Sequence, residues 1–241
     1  MRRLALALFC CTAVTSTAHA ATITYIVPGT SNMWLAGMPD LSTAGGVDSA
    51  PGQSPVLALG TELLAGHQLT FLATGAVSNG PCCAFDGPDG GSLTTSLYAP
   101  ENGFAGMTAP INALMGVFLG PDQPDGTPVP PALNFGTSAS RDFTVLTPGL
   151  KQIFFIGNGL TSGGVLQHFV VPDGATRFYL GTMDGYEWNN NMGEFRVEVT
   201  SAPEPASLLL LGAGLAGLGL GTRRLATARA RLATATKVRA R

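Results

Sequence analysis

The chain has 241 residues, with 15 acidic and 13 basic side chains and a formal net charge of −2. The basic residues cluster at the two ends, so residues 21–202 hold 4 basic and 14 acidic residues and carry a formal charge near −10. A domain with that charge repels nucleic acid and anionic lipid and attracts cations, so we expect no nucleic-acid partner.

The N-terminus has the three regions of a secretory signal peptide. Two arginines follow Met1, an apolar run covers residues 4–14, and small residues lead up to Ala20. A run of about eleven apolar residues is too short to span a bilayer. We therefore expect residues 1–20 to be a signal peptide that signal peptidase removes between Ala20 and Ala21.

Residues 21–202 predict one all-β domain. Short runs of β-branched and aromatic residues alternate with Gly, Pro, Ser and Thr, and no stretch shows sustained helical periodicity. The expected strands are residues 22–27, 56–59, 68–74, 113–119, 142–146, 152–156, 165–171, 176–180 and 194–200. Many short strands at near-regular spacing favour an antiparallel β-sandwich of the jelly-roll, galactose-binding-like type.

Two cysteines, Cys82 and Cys83, remain once the signal peptide is removed. They are adjacent in sequence and enter an oxidising compartment, but neighbouring cysteines reach ordinary disulfide geometry only with strain. The sequence leaves a strained vicinal ring, an intermolecular bridge and two free thiols open.

Oxygen-bearing side chains are concentrated just before the last predicted strand, at Asp184, Glu187 and residues 189–191. Calcium takes six to eight oxygens from carboxylates, amides and backbone carbonyls on an adaptable loop, and this loop offers several of them. The alternative is an Asn-rich β-turn, because Asn and Asp bond their own backbone and tolerate left-handed conformations. A second calcium turn at residues 86–91 is conceivable, although its Gly-Pro content favours a plain turn.

The segment resembles the calcium-dependent galactophilic bacterial lectin family. Asp184, the pair Asn190-Asn191, Gly193 and the alternating strand that follows carry the resemblance, together with Asn79-Gly80-Pro81 upstream. The resemblance implies calcium ligands at the side chains of Asp184, Asn190 and Asn191 and at the backbone carbonyls of Asn79 and Glu187. Sugar hydroxyls would complete the coordination of the ion.

The same loop carries two aromatic residues, Tyr186 and Trp188. Aromatic faces stack on the apolar faces of sugar rings, so with Asp184 and Asn190 they form the predicted carbohydrate-binding set. The alternative is that they fill the core at the end of the sandwich.

The C-terminal region begins with Pro203-Glu204-Pro205, continues with sixteen uncharged residues at 206–221, and then has Arg223 and Arg224. Sixteen helical residues extend about 24 Å, short of the ~30 Å hydrocarbon core, which favours a transient membrane span. The arginines orient its far end to the cytoplasm. This order resembles the PEP-CTERM sorting signal, which implies an exosortase-type partner for residues 203–224, with residues 225–241 as a basic cytoplasmic tail.

No nucleophile elbow or zinc-protease motif is present, and only His67 and His168 remain as bases after export, so we do not expect an enzyme. The sequence predicts a protein exported through the inner membrane to the cell surface or extracellular matrix, with a domain that binds carbohydrate, such as extracellular polysaccharide, through calcium. The alternative is a structural surface protein with no small ligand. The two differ in whether the 184–191 loop and Asn79 converge on an ion-sized cavity.

Overall fold

The computed structural model describes residues 20–91, 95–97 and 99–202. The predicted signal peptide up to residue 19, the sorting segment and the basic tail lie outside these described residues. Within the described part of the chain no helix is long and apolar enough to cross a membrane. The apolar helix predicted at residues 206–221 falls outside that part.

The described residues are almost entirely strands and loops. The strands are β1 (Ala21–Pro28), β2 (Thr43–Ala44), β3 (Asp48–Ser49), β4 (Val56–Leu57), β5 (Gln68–Ser78), β6 (Thr95–Leu97), β7 (Thr108–Pro110), β8 (Leu114–Leu119), β9 (Val145–Leu146), β10 (Phe154–Phe155), β11 (His168–Val170), β12 (Arg177–Thr182) and β13 (Met192–Ala202). One short α-helix, α1 (Ser138–Arg141), and 3-10 helices at Met33–Leu35, Pro124–Gly126 and Trp188–Asn190 complete the elements.

Two main sheets form the body of the domain. One has the strand order β1-β13-β5-β11-β9 and the other the order β10-β8-β12-β4. Strands β9 and β11 pair in parallel, whereas the other pairs in these two sheets are antiparallel. Two small ribbons, β2-β3 and β6-β7, lie outside the sheets. The predicted all-β fold class is confirmed.

Aromatic side chains join the two sheets face to face. Phe71 of β5 and Phe178 of β12 have ring centroids 5.6 Å apart, and Phe154 of β10 and Phe169 of β11 have centroids 5.4 Å apart. All four side chains are fully buried. Because each buried Phe contributes about 1.5–3 kcal/mol of transfer free energy, this aromatic layer is a principal source of the sandwich's stability.

One predicted strand is shorter than expected and follows a short helix. Residues 142–146 were expected to be extended, but the strand is confined to Val145–Leu146, and α1 precedes it. The helix forms because Thr137 Oγ1 accepts from the Ser140 N–H and Ser140 Oγ accepts from the Thr137 N–H. This reciprocal capping box satisfies two donors at the start of the helix.

Candidate metal centre at one end of the sandwich

Three loops meet at one end of the sandwich. Strand β5 ends at Ser78, which pairs with Met192 at the start of β13. The end of β12 is tied to the same place, because Thr182 Oγ1 donates to Gly29 O at 2.7 Å and Gly29 N donates to Gly193 O at 2.9 Å. The loop after β5, the β12–β13 loop and the segment that follows β1 at Gly29 therefore lie side by side.

Asp184, two residues after β12, is 5% exposed. Its Oδ1 accepts from the N–H of Gly185 at 2.6 Å and from that of Tyr186 at 3.4 Å, a local turn that holds the carboxylate in place. Its Oδ2 is buried and has no hydrogen-bond partner. One oxygen of a buried carboxylate is thus left available.

Asn191 approaches from the start of β13 and is 7% exposed. Its Nδ2 donates to Gly29 O at 3.1 Å. Since the amide has one oxygen and one nitrogen, this bond identifies the other atom as Oδ1, and Oδ1 is buried without a partner. A second acceptor-only atom is therefore left unpaired at the same end.

The charge state of Asp184 reflects this environment. Burial raises the pKa of Asp184 above its ordinary value, and the nearby Asp48 carboxylate adds to the rise. The Asn191 amide and the N–H groups of Gly185 and Tyr186 lower the pKa and offset part of the rise. The ionised carboxylate is thus penalised, and a cation beside it would relieve the penalty.

The loop after β5 forms the opposite wall. Ser78 Oγ donates to Gly80 O at 2.7 Å and to Cys83 O at 3.2 Å, and Cys83 N donates to Gly80 O at 3.1 Å. Gly80 has φ +144°, and a Cβ there would lie 3.6 Å from Asn190 Oδ1. Asn190 and the Gly80 turn are therefore neighbours. Because Gly80 O is occupied, Asn79 offers the carbonyl that remains a candidate ligand.

The two cysteines lie in this wall. Their Sγ atoms are 3.5 Å apart, and both thiols are free. The hydrogen bond with Cys82 is the main cause of a raised pKa at the Cys83 thiol, and the Asp184 carboxylate contributes to it. Within the chain, the two cysteines are thus free thiols and form no vicinal ring.

A residue that the sequence analysis missed holds the Trp188–Asn190 turn. Asp48, in β3, is fully buried and accepts from Trp188 N at 2.8 Å, Asn189 N at 3.0 Å and Asn32 Nδ2 at 3.0 Å. It lies some 140 residues away in the chain, so no local pattern could have identified it. Both of its oxygens are occupied, so Asp48 positions the turn and is not a free ligand.

Glu187 precedes that turn with a left-handed backbone, at φ +57°. Its N–H donates to Gly45 O at 3.0 Å, which ties the peptide to the turn between β2 and β3. The role expected for its carbonyl, as an ion ligand, stays a prediction.

The two aromatic residues of the loop have different environments. Tyr186 is 61% exposed, whereas Trp188 is fully buried. The Trp188 ring is 5.6 Å from that of Trp34, and its Nε1 donates to Thr182 O at 3.0 Å. The prediction that Trp188 contacts sugar is corrected on this point, because a buried ring has no face to offer. Trp188 instead fills the core, and Tyr186 remains a candidate for stacking.

The donor set fits calcium better than it fits a transition metal. Among the described residues, no three His, Cys, Asp or Glu side chains converge on one point. The converging atoms are one carboxylate oxygen, amide oxygens and candidate backbone carbonyls. These are the hard oxygen ligands that calcium accepts in an adaptable geometry.

A cleft of about 840 Å³ lined by Asp89, Asp142 and Asn158 shares no lining residue with this site. Its carboxylates already have partners. Asp89 Oδ1 accepts from Asn158 N at 2.9 Å, and Asp142 accepts from the N–H and the hydroxyl of Ser162 at 2.7 and 3.0 Å. The cleft therefore lacks the unpaired buried oxygens of the metal centre.

Comparison with known proteins identifies the C-terminal motif. Residues 201–224 match the family model of the PEP-CTERM protein-sorting motif. This confirms the resemblance at residues 203–224 and implies export and membrane-associated sorting toward the cell surface by an exosortase-type system. No curated protein matches the chain.

Among solved structures, the chain is similar to the N-terminal domain of EclA, described as a PllA-like lectin. The sequence identity is 18% and the TM-score 0.31, over 74% of this chain and 95% of that domain. Similarity at this level says nothing about what the chain binds.

Proposed function

We propose that this surface-sorted protein binds a calcium ion at the end of its β-sandwich and uses the ion to hold a carbohydrate. The observation that supports the proposal is the pair of buried, unpartnered oxygens, Asp184 Oδ2 and Asn191 Oδ1. The predicted signal peptidase and exosortase steps would deliver the domain to the extracellular polysaccharide it would meet.

Two unpaired acceptors in one buried place need an explanation. Each buried acceptor without a partner costs about 1–3 kcal/mol, and neither a carboxylate nor an amide oxygen can donate to the other. A cation satisfies both oxygens and also relieves the raised pKa of Asp184. A bridging water would satisfy them as well, and a calcium titration separates the two cases.

Each residue of the site would have a separate role in binding the ion or the sugar. Asp184 supplies the charge, Asn191 and Asn190 supply amide oxygens, and the carbonyls of Asn79 and Glu187 complete the protein ligands. A bound calcium ion would offer its open coordination positions to sugar hydroxyls. Tyr186, at 61% exposure, supplies an aromatic face for the apolar side of the sugar ring.

The first test is the melting temperature of the purified chain in calcium, in magnesium and in chelator. Binding to the folded state at a hundredfold excess over Kd adds about 2.7 kcal/mol, or about 5–11 °C for a domain of this size. We expect calcium to produce that shift. Magnesium should produce much less, because it demands a tight octahedral geometry.

The matched variants are Asp184→Asn and Asp173→Asn. Both remove one negative charge, but Asp184 is buried at the site and Asp173 is exposed on a loop. We expect Asp184→Asn to abolish the calcium shift and Asp173→Asn to retain it. Equal melting curves for all three proteins in calcium and in chelator would support a structural surface protein with no small ligand.

Calorimetry then tests the carbohydrate. D-Galactose, D-mannose and L-fucose are titrated into the calcium-loaded and the chelated protein. We expect heat of binding from at least one of the three sugars, and only with calcium. Calcium binding without any sugar response would leave a purely structural ion.

A further inference from the structure

A third unpartnered acceptor lies beside the metal centre. Asn112 is 1% exposed, and its Oδ1 is buried without a hydrogen-bond partner. Its Nδ2 donates to Asp86 Oδ2 at 2.8 Å, which identifies the free atom as the oxygen. The sequence analysis assigned no role to Asn112, and treated Asp86 only as part of a turn.

The backbone places Asn112 beside the peptide that leads into Asp184. Strands β8 and β12 pair in register from Leu119 to Leu114, which lies opposite Thr182. Beyond this pair, Met183 N donates to Ala113 O at 2.9 Å and Asn112 N donates to Met183 O at 2.7 Å. Residues 112 and 113 therefore both face Met183, which is a β-bulge, and Asn112 is bonded to the residue directly before Asp184.

The ladder also shows where this bulge lies. Phe118 and Phe178 are partners in the ladder, and their rings lie 4.8 Å apart inside the core. Every second pair along antiparallel strands faces the same side. Counting in steps of two from this pair reaches Leu114 with Thr182, so the bulge and Asp184 directly follow an inward-facing pair at the end of the two strands.

Asp86 reaches the same end from the other sheet. It bonds to Val77 in both directions, with Val77 N to Asp86 O at 3.0 Å and Asp86 N to Val77 O at 2.8 Å. Val77 is fully buried, and it lies two residues before Asn79 in the wall of the centre. Asp86 therefore spans the gap between the sheets and fixes the Asn112 amide.

We propose that Asn112 Oδ1 is a further ligand of the calcium ion and that Asp86 is the positioning residue that turns this oxygen toward it. The inference rests on the proposed function. It adds to the centre a ligand from the turn before β8, so that side chains of two loops, this turn and the β12–β13 loop, would hold the ion.

The backbone conformation of Asn112 allows its side chain to be removed without strain. Its backbone is left-handed, at φ +66°, a region that glycine adopts without strain. Asn112→Gly therefore keeps the backbone and removes the amide. Asn102→Gly is the matched control, because Asn102 also has positive φ, at +50°, and donates its Nδ2 to Trp34 O and Thr43 O at 3.0 Å in another loop.

The experiment is a calorimetric calcium titration of the full chain and its variants, with circular dichroism to verify folding. We expect Asn112→Gly to weaken calcium binding by roughly 10- to 100-fold and Asn102→Gly to leave it unchanged. Asn112→Asp, which restores an oxygen at the same position, should recover most of the affinity. Its melting temperature in chelator should nevertheless fall, because two carboxylates then face each other at Asp86.

The outcomes separate the two proposals. If the unmodified chain binds no calcium, the proposed function and this inference both fail. If it binds calcium and Asn112→Gly binds equally well, the proposed function stands and Asn112 is only a structural partner of Asp86. A loss in Asn112→Gly without recovery in Asn112→Asp would also overturn direct ligation.

Discussion

At the scale of single residues, the buried carboxylate of Asp184 links calcium binding to pH. A carboxyl whose pKa is raised on folding binds protons more tightly in the folded than in the unfolded chain. The ion-free protein therefore loses stability as pH rises from the unfolded-state pKa, about 3.9 for Asp, through the higher folded-state value. Calcium opposes this loss because it binds the ionised form.

The expected result is a divergence of two stability curves with pH. In chelator, the free energy of unfolding should decrease from about pH 4 upward across the window set by Asp184, with a contribution from Asp48, whose pKa burial also raises. In calcium the decrease should be absent or reversed. Denaturant titrations between about pH 4 and 7 measure both curves. Asp184→Asn should remove part of the slope in chelator, and an unchanged slope in that variant would show that Asp184 does not cause it.

A second prediction separates the two aromatic residues of the loop. Tyr186→Ser changes an exposed side chain, so stability should stay within about 0.5 kcal/mol, while sugar affinity should fall roughly 3- to 10-fold through lost stacking. Trp188→Phe should lower the stability and leave the sugar affinity unchanged. Losing the Nε1 bond to Thr182 O costs about 1 kcal/mol, but sugar affinity should persist. Calorimetry measures the sugar affinity of both variants, and thermal melts measure their stability. A loss of sugar affinity in Trp188→Phe alone would contradict the assignment of Tyr186 as the stacking residue.

At the scale of elements, two basic side chains hold the proline-rich segment between residues 120 and 131. Arg177 of β12 donates from Nε and Nη2 to Gly120 O and from Nη2 to Asp122 O at its start. Lys151 Nζ donates to Pro124 O, Thr127 O and Pro128 O at 2.9–3.0 Å. The segment lacks sheet partners, so these bonds define its position.

Lys151→Met should release the end of this segment. Bonds from a charged donor contribute about 1.5–3 kcal/mol when formed, and partial exposure reduces this to about 1 kcal/mol of global stability. Local opening should be the larger effect. An Asp-specific endoproteinase should cleave at Asp122 and Asp125 faster in Lys151→Met than in Arg196→Met. Arg196 forms an exposed ion pair with Glu198 at 3.4 Å and an exposed bond to Thr24 Oγ1 at 3.3 Å, and neither involves this segment. Equal cleavage rates would therefore show that Lys151 does not secure the segment.

The strands that could be predicted from sequence are those with a clear alternation. Strand β13 shows it, with Phe195 and Val197 buried and Glu194 and Arg196 exposed, as expected. Strand β5 was predicted to end at residue 74 but extends to Ser78. Gly75 is required within the strand because a Cβ there would collide with Glu194 O across the ladder. A glycine needed for close approach cannot be distinguished in sequence from one that ends a strand.

The candidate site was predictable to the extent that its residues are close in sequence. The 184–191 loop was identified because Asp184 and Asn191 lie within one segment of unusual composition. Asp48 and Asn112 were missed because their contacts come from the register of strands and from long connections. Sequence composition shows which residues can bind an ion, whereas cross-strand register determines which of them meet.

At the scale of the whole molecule, charge and sequence pattern separate the chain into regions with different tasks. Seven of the 13 basic residues follow residue 222, while the domain at 21–202 carries the acidic excess. The matched sorting motif spans residues 201–224, so it begins inside the last strand. The acidic domain and the basic C-terminus are therefore distinct regions by charge, and the sorting motif lies at their junction.

The last strand also defines where the fold ends. Strand β13 pairs with β5 along its whole length, from Met192 with Ser78 to Ala202 with Gln68, and with β1 up to Ser201. The next residue is Pro203, which has no N–H to donate to a further rung. Among the described residues, every position of β13 is thus paired with β5.

We therefore expect a chain that stops after Ala202 to fold as the full chain does. It should keep its β-type circular dichroism, melt in one cooperative transition, and show the same calcium shift, because the strand pairs and the ion-binding loops are all retained. In cells it should be exported but released from the envelope, since the sorting motif is lost. The matched control replaces Pro203 and Pro205 with Ala in the full chain, which alters the motif and leaves the length unchanged. Aggregation or loss of the β-type signal in the shortened chain would contradict this prediction. It would show that residues beyond 202 pack on the domain and are needed for its stability.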